Sequence, residues 1–328
     1  MENIESKESI KSIPSNRLQF FPVMMFAIVM GLSGLSLVFK KLSEVLYFPS
    51  IIGTLFTLIS TIVFFLILGN YILKLLKYKK EVKEEIIHPI RINFFAAISI
   101  STLILSILYR HNLDELSQIF FILGSLLHII LTFYTMKFWI NNNLEIQHSN
   151  PAWFIPIVGN LIVPIAGKGF VDDSILYFYF SIGIFFWIIL FSIILNRIIF
   201  HKQFAAKFMP TLFILIAPPA IGFLSYIKLS GELDFFAHIL YSLGLFFTIL
   251  VFTMYKNYIN IKFFISWWAF TFPMAAFTLS TIVMYELTSY SFYAYLSYIF
   301  MIITTIIVFL VAKQTIAHMM KKEICIME

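Results

Sequence analysis

The long apolar stretches of this 328-residue chain contain two histidines, His128 and His238, whose side chains could relay protons. Imidazole titrates near neutral pH, and ionisable groups inside a membrane persist where they move protons or ions. His128 lies in the middle of its stretch, where a neutral ring hydrogen-bonded to a neighbouring helix is the better interpretation. His238 lies near the start of its stretch, and we expect it at the membrane interface.

The other groups with potential chemistry stand apart from one another. Asp172 with Asp173, and Glu84 with Glu85, are separated by long apolar stretches, and solvated charge is the expected state of both pairs. The sequence contains no HExxH, GxSxG or phosphate-binding glycine motif, and Cys325 is its single cysteine, which excludes a disulfide within the chain. We therefore expect no enzyme activity, no metal site and no cofactor.

The composition of the chain is that of an integral membrane protein. Hydrophobic residues make up 60% of it, charged residues make up 12%, and the mean hydropathy is +0.92. Ten uncharged runs are each close to or above the roughly 18 residues that a helix needs to cross a bilayer core. Because these runs do not alternate with period two, the prediction is an all-α fold of ten transmembrane helices. In chain order, spans 1 to 10 are predicted at 18–39, 46–73, 92–109, 116–136, 149–167, 174–196, 208–227, 235–255, 263–285 and 287–312.

Prolines divide the spans into two sets. A proline inside a span frees a backbone carbonyl that lipid cannot satisfy, so a kinked helix belongs away from lipid. Apart from Pro49 in the first turn of span 2, the prolines within spans all fall in odd spans, at Pro22, Pro151, Pro156, Pro164, Pro210, Pro218, Pro219 and Pro273. The pattern predicts five helical hairpins, with the odd spans as an inner five-helix ring and the even spans as an outer jacket. The alternative is a packed core without a pathway, as in a structural or sensory membrane protein.

Basic residues are divided unevenly between the two sides of the membrane. The termini and the connections after even spans hold 18 Lys and Arg residues, whereas the connections after odd spans hold 5. The positive-inside rule therefore places both termini in the cytoplasm. The basic run 74–85 is expected to anchor this topology and to touch anionic lipid head groups, and no nucleic-acid partner is implied. The predicted domains are a cytoplasmic tail at 1–17, a transmembrane domain at 18–312 and a cytoplasmic tail at 313–328.

The predicted inner ring contains no Asp, Glu, Lys or Arg. A conduit without fixed charge binds an ion weakly and releases it quickly, which favours passive passage over coupled transport. The basic residues on the cytoplasmic face are expected to raise the anion concentration at that mouth.

Five segments resemble the tellurite-resistance and dicarboxylate transporter family, whose members include bacterial TehA and the slow anion channels of plant guard cells. They follow one another in the family's order, as GLSGLSL (31–37), HPIRINFFA (88–96), HSNPAWFIPIVGN (148–160), IAPPAIGFLSY (216–226) and WWAFTFPMA (267–275). The resemblance implies five hairpins around an inner pore, anion conduction, a homotrimer with one pore per subunit, and residence in a bacterial inner membrane. The family also includes proton-linked carriers, so a carrier of tellurite oxyanions or C4-dicarboxylates is the alternative function.

Matched motif to motif, the resemblance implies that Phe272 plugs the pore at mid-membrane. Pro273 follows it and frees the carbonyl of Ala269. The predicted function is thus a passive channel for chloride and nitrate with Phe272 as its gate. The other residues predicted at pore kinks or in the pore lining are Pro22, Ala27, Met30, Gly31, Pro156, Gly159, Pro218, Pro219, Ala269 and Pro273.

Overall fold

The computed structural model describes residues 17–326, and within this range the chain forms helices and no β-strand. Nine helices in this range are long and apolar enough to cross a membrane, and a tenth apolar segment of 17 residues lies between them. The ten spans are Val23–Leu46, Ser50–Lys77, Arg91–Tyr109, Asp114–Asn141, Pro151–Gly167, Asp173–Phe200, Ala206–Ser230, Phe235–Thr253, Ile265–Thr288 and Ser291–Met320. The predicted all-α membrane fold is confirmed.

The two ends of the described chain meet on one side of the bundle. The Arg17 guanidinium donates a hydrogen bond from Nη2 to the main-chain oxygen of Ile324 at 2.5 Å. We call this the terminus side and the opposite one the far side. Apart from Arg17, the predicted tail 1–17 lies outside the described residues, and span 10 continues as helix to Met320, past the position where a tail was predicted to begin.

Odd and even spans differ in backbone geometry. Each even span is one continuous α-helix, whereas each odd span begins on the terminus side as a 3-10 helix and continues as an α-helix. Proline accounts for several of these breaks, because it lacks the N–H that an α-helical hydrogen bond requires. The 3-10 segments that open spans 1, 3, 5, 7 and 9 are Val23–Met25, Arg91–Phe95, Pro151–Trp153, Ala206–Ile216 and Ile265–Phe270, and span 5 has a second one at Gly159–Leu161.

The odd spans form a closed inner ring. Each packs against two others, in the order 1, 3, 5, 7, 9 and back to 1, while each even span packs on the odd span before it. In the most apolar window of each long odd span 72% to 83% of the residues are buried, against 28% to 44% for the even spans. The division into an inner ring and an outer jacket, predicted from the prolines, is confirmed.

Hydroxyl groups join inner helices to outer ones. The Ser36 hydroxyl of span 1 donates to the Gly53 carbonyl of span 2 at 2.8 Å, and the Ser106 hydroxyl of span 3 donates to the Ser117 carbonyl of span 4 at 2.8 Å. In an apolar environment such hydrogen bonds fix one helix against another, because the alternative is an unpaired polar group. They hold the jacket in register with the ring.

The closest approach of spans 1 and 9 depends on Gly31. A Cβ atom at this position would lie 2.2 Å from the Thr271 hydroxyl oxygen and 2.8 Å from the Trp268 ring. We therefore expect Gly31→Ala to lower the melting temperature of the detergent-solubilised protein, with an overpacking cost of about 1–3 kcal/mol.

The matched control is Gly69→Ala, because a Cβ at Gly69 meets no atom within 4 Å. Alanine is the better helix former, so this variant should melt at or slightly above the wild-type temperature. Equal melting temperatures for the Gly31 and Gly69 variants would contradict the packing described for spans 1 and 9.

Candidate functional site

A small cavity occupies the terminus-side half of the inner ring. Its volume is about 60 Å³, and all of its lining residues belong to the five odd spans. Thr211 and Ser266 contribute hydroxyl groups, and none of the described residues that line it is ionisable. An ion in this cavity would meet a nearly apolar wall.

A larger cavity opens in the far-side half of the ring. Its volume is about 780 Å³, and it is lined by the far-side ends of the odd spans, the connections that follow them and the start of span 2. Its charged lining residues are Lys40, Lys41, Glu44, Arg110, Lys168, Lys228 and Glu286. Basic groups thus outnumber acidic ones along this wall.

Among the described residues, three line both cavities: Ile162 of span 5, Ile221 of span 7 and Phe272 of span 9. They therefore lie where the two cavities meet. Phe272 has the largest side chain of the three and is 9% exposed. A straight route along the ring axis from one cavity to the other passes this apolar constriction.

Local backbone features position Phe272. The 3-10 helix of span 9 ends at Phe270, and Phe272 is the second residue of the α-helix that follows, directly before Pro273. On the facing helix, a Cβ at Gly34 would lie 3.3 Å from Phe272 Cδ2 and 2.9 Å from Ala275 Cβ. Because Gly34 has no side chain, there is space for the Phe272 ring to pack against span 1.

The predicted pore residues divide into two groups. One group lines the terminus-side cavity and consists of Ala27, Met30, Gly159, Ala269, Phe272 and Pro273. The other lines neither cavity and consists of Pro22, Gly31, Pro156, Pro218 and Pro219. Pro218 and Pro219 lie in the first turn of the α-helix of span 7, and Gly31 packs against span 9. Pro273 thus faces a cavity, whereas Pro22, Pro156, Pro218 and Pro219 belong to spans whose other residues face it.

The position of positive charge differs from the sequence-based expectation. Among residues 17–326, the terminus side carries most of the basic residues, and none of these lines the terminus-side cavity. All five Lys and Arg residues of the far-side connections line the far-side cavity. The reason is geometric. Basic residues that end or follow the odd spans lie at the far-side rim of the ring, whereas most of those on the terminus side belong to even spans or connections. Arg91 and Lys207, which lie at the start of odd spans, line neither cavity.

A buried ion pair fixes the terminus-side entrance of span 1. Lys74 Nζ lies 2.8 Å from Glu85 Oε2, and each side chain is only 4% exposed. The Glu85 carboxylate also accepts hydrogen bonds from the Val23 amide at 2.8 Å and the Tyr71 hydroxyl at 3.0 Å, while Lys74 donates to the Phe21 carbonyl at 2.8 Å. Through this ion pair, outer span 2 is attached to the first turn of inner span 1.

The sequence-based interpretation of the run 74–85 as a lipid-facing anchor missed this contact. A signal for it was present, because Phe64, Ile67, Tyr71 and Lys74 recur at intervals of three and four residues and therefore share one helix face. All four are buried. A lysine that continues a buried apolar stripe requires a partner, and Glu85 supplies it.

His128 is buried between helices, as predicted from the sequence. Its Nδ1 lies 2.8 Å from the Ser99 hydroxyl of span 3. A Cβ at Gly159 would come 2.3 Å from the His128 ring, so the ring packs directly behind the backbone of a residue that lines the terminus-side cavity. The imidazole therefore supports the residues that line the cavity and does not line it itself.

Span 4 also braces the irregular middle of span 5. The Thr132 hydroxyl donates to the Pro156 carbonyl at 2.8 Å, and the Asn160 amide nitrogen donates to the Thr132 hydroxyl at 3.0 Å. These hydrogen bonds satisfy polar groups around the 3-10 segment Gly159–Leu161, where regular helical bonding is interrupted. An outer helix thereby stabilises a break in an inner one.

Within residues 17–326, no group of three or more His, Cys, Asp and Glu side chains is placed to hold a metal ion. Burial raises the pKa of the Cys325 thiol to about 11, so this thiol is protonated at neutral pH.

Comparison with known proteins agrees with this architecture. Residues 20–316 match the SLAC1 family, described as voltage-dependent anion channels. The chain belongs to the SLAC1 family. The matched range contains spans 1 to 9 and most of span 10.

Relatives within the SLAC1 family come from several kingdoms. An uncharacterized transporter of Methanocaldococcus jannaschii is 28% identical, with 83% of this chain and 87% of the relative covered. The S-type anion channel SLAH2 of Arabidopsis thaliana is 26% identical over 86% of this chain and 56% of its own length. A tellurite resistance protein TehA homolog of Haemophilus influenzae is 26% identical, with 81% of each chain covered. This SLAC1-family chain is accordingly an anion channel or transporter of the membrane.

Removal of the Glu85 carboxylate should destabilise the protein strongly. Glu85→Ala leaves the Lys74 charge buried without a partner, and breaking a buried pair in this way costs about 3–5 kcal/mol. We expect a clear fall in the melting temperature measured in detergent, and partial recovery when Lys74→Met is added.

Glu84→Ala is the matched control for this prediction. Glu84 lies beside Glu85 but is exposed, and its nearest pairing is with exposed Lys80 at 4.0 Å. Loss of such a surface pair costs about 1 kcal/mol or less. A Glu84 variant as unstable as the Glu85 variant would show that the buried pair has no special role.

Proposed function

We propose that this protein is a passive channel that conducts small monovalent anions, such as chloride and nitrate, along the axis of the inner ring. The supporting observation is the meeting of two cavities at Phe272, one nearly apolar and one lined by an excess of basic side chains. Anions entering from the far side are concentrated by this charge before they reach the constriction.

The lining of the terminus-side cavity favours a channel over a coupled carrier. A carrier coupled to protons uses an ionisable group along its path, and this cavity presents hydroxyl groups and apolar side chains instead. An anion that is held weakly there leaves quickly, which is the condition for rapid passive flow.

We propose Phe272 as the gate of this channel. Its ring stands between the cavities, and small residues surround it, with Ala269 lining the terminus-side cavity and Ala276 the far-side cavity. A rotation of the Phe272 side chain about χ1 needs space beside the helix, and these alanines leave it. Pro273 lacks the N–H that a regular α-helical hydrogen bond requires, and the 3-10 helix of span 9 changes to an α-helix within the same turn.

The assembly and orientation that accompany this proposal come from the family resemblance and from the charge asymmetry. We propose a homotrimer with one pore per subunit in the plasma membrane, with the terminus side in the cytoplasm, where the positive-inside rule puts the larger number of basic residues. Light scattering of the detergent complex measures the subunit number. A reporter enzyme fused after the last residue measures the orientation.

Phe272→Ala should raise the anion current several-fold in oocytes or planar bilayers, because it removes the ring from the constriction. Phe270→Ala is the control, since it removes the same side chain two residues earlier, where it lines neither cavity. An unchanged current in a well-expressed Phe272 variant would exclude the gate assignment. An absence of anion leak from liposomes that hold this variant would favour a protein without a pathway.

Reversal potentials separate the channel from the alternative carrier of tellurite oxyanions or C4-dicarboxylates. With chloride, nitrate and malate on opposite sides of the membrane, a passive channel should follow the chloride gradient and show no dependence on a pH gradient. The Phe272→Ala variant should keep the same reversal potentials at larger current. Reversal potentials that move with the proton gradient would contradict the channel and favour the carrier.

A further inference from the structure

Each odd span or the connection after it contributes a charged residue to the far-side cavity, and only some of the basic ones are paired with a carboxylate. Lys41 Nζ lies 2.9 Å from a Glu286 carboxylate oxygen and 3.4 Å from one of Glu44. Lys168 Nζ lies 2.6 Å from a carboxylate oxygen of Asp173. These two lysines therefore have counter-charges within the protein.

The other three basic residues of this wall lack such partners. Among the described residues, Lys40, Arg110 and Lys228 have no carboxylate oxygen within 4.0 Å of their side-chain nitrogens. Three positive charges thus face one cavity without a carboxylate in direct contact, while Glu44 and Glu286 of the same wall act on Lys228 only at longer range. Like charges so arranged repel one another unless an anion from solution lies between them.

Two of these charges are held in place by uncharged groups. Lys40 Nζ donates to the main-chain carbonyl of Leu108, which lies at the end of span 3. Arg110 donates from Nη2 to the Lys168 carbonyl at 2.8 Å, and its guanidinium lies 3.7 Å from the centre of the Phe170 ring. Both side chains are therefore fixed before any ligand arrives, which reduces the entropic cost of binding.

Donors remain free on this wall. The Lys228 side chain is exposed and makes no hydrogen bond or ion pair with any described residue, so its three N–H groups are available. Arg110 uses its two Nη atoms toward main-chain carbonyls and, with five N–H groups, keeps others unused. Lys228 also lies within electrostatic reach of the basic residues Arg110 and Lys41 and of the acidic residues Glu286 and Glu44.

We infer that the far-side cavity is a binding site for a divalent oxyanion, held between Arg110 and Lys228, with Lys40 on the same wall. A doubly charged tetrahedral oxyanion can contact two of these cations at once through different oxygens. A monovalent halide has one charge and one atom, so it offers less to each cation. The inference deepens the proposed anion channel and rests on it for the placement of this cavity on the ion pathway. A divalent oxyanion bound at this site would block the flow of monovalent anions that enter from the far side.

Sulfate is the probe, and methanesulfonate is its matched control, because it keeps the tetrahedral sulfur and three oxygens but carries one charge fewer. The test is isothermal titration calorimetry on the full-length protein in detergent at constant ionic strength. Sulfate should bind saturably with one site per chain, and methanesulfonate should give no saturable binding. Equal binding of both anions, or no sulfate binding, would overturn the inference.

Two charge variants locate the site by opposite effects. Lys228→Gln should weaken sulfate binding about fivefold, as expected for one solvent-exposed ion contact. Glu286→Gln should strengthen it, because it removes a repelling carboxylate from the same wall. Lys80→Gln, which removes a positive charge from an exposed terminus-side position, should leave it unchanged. Equal affinities for all three variants would place any bound sulfate elsewhere.

The outcome is separable from that of the proposed channel. Saturable sulfate binding in a protein that passes no anion current, even with Phe272→Ala, would keep the site and refute the channel. Chloride current without saturable sulfate binding would keep the channel and refute the site. Where both hold, sulfate on the far side should reduce the chloride current, and Lys228→Gln should relieve that block.

Discussion

The demand that every backbone polar group in a bilayer find a partner governs this structure. The five odd spans meet this demand less regularly than an α-helix does, because 3-10 turns and prolines interrupt their α-helical hydrogen bonds. Such helices are tolerable only where protein or water meets the freed groups. A jacket of five unbroken helices provides this shelter, and side chains such as Thr132 reach inward to satisfy the irregular backbone. The inner ring can have irregular helices because the regular outer helices separate it from lipid.

The fold was largely accessible from the sequence. Run length and the absence of charge gave all ten spans, and the one-sided use of proline separated the inner ring from the jacket. The 3-10 opening of span 3, Arg91–Phe95, contains no proline, so no letter in the span signalled it. It is held by local contacts, among them hydrogen bonds from the Asn93 amide to the carbonyls of Pro89 and Ile90. Breaks that depend on such contacts are invisible to a residue pattern.

The candidate site was less accessible, for two physical reasons. Phe272 has no feature in the sequence that distinguishes it from a core aromatic, and its selection depended on the family resemblance. Charges were counted by connection, which gives their side of the membrane but not their distance from the ring axis. The far-side lysines and Arg110 therefore counted as a minority, although their radial position brings them to one cavity. Lys74 shows the same limit, since a linear run does not reveal an inward-facing side chain.

The mixed geometry of span 5 also solves a problem of length. As a regular α-helix its 17 residues would rise about 25 Å, which is short of the roughly 30 Å of hydrocarbon that a typical bilayer presents. Six of its residues are in 3-10 turns, which rise about 2.0 Å each instead of 1.5 Å and add about 3 Å to the span. Overwinding thus stretches the shortest inner helix toward the thickness of the membrane. The 3-10 turns thus let a 17-residue helix span more of the length that its neighbours in the inner ring cover with 19 to 25 residues.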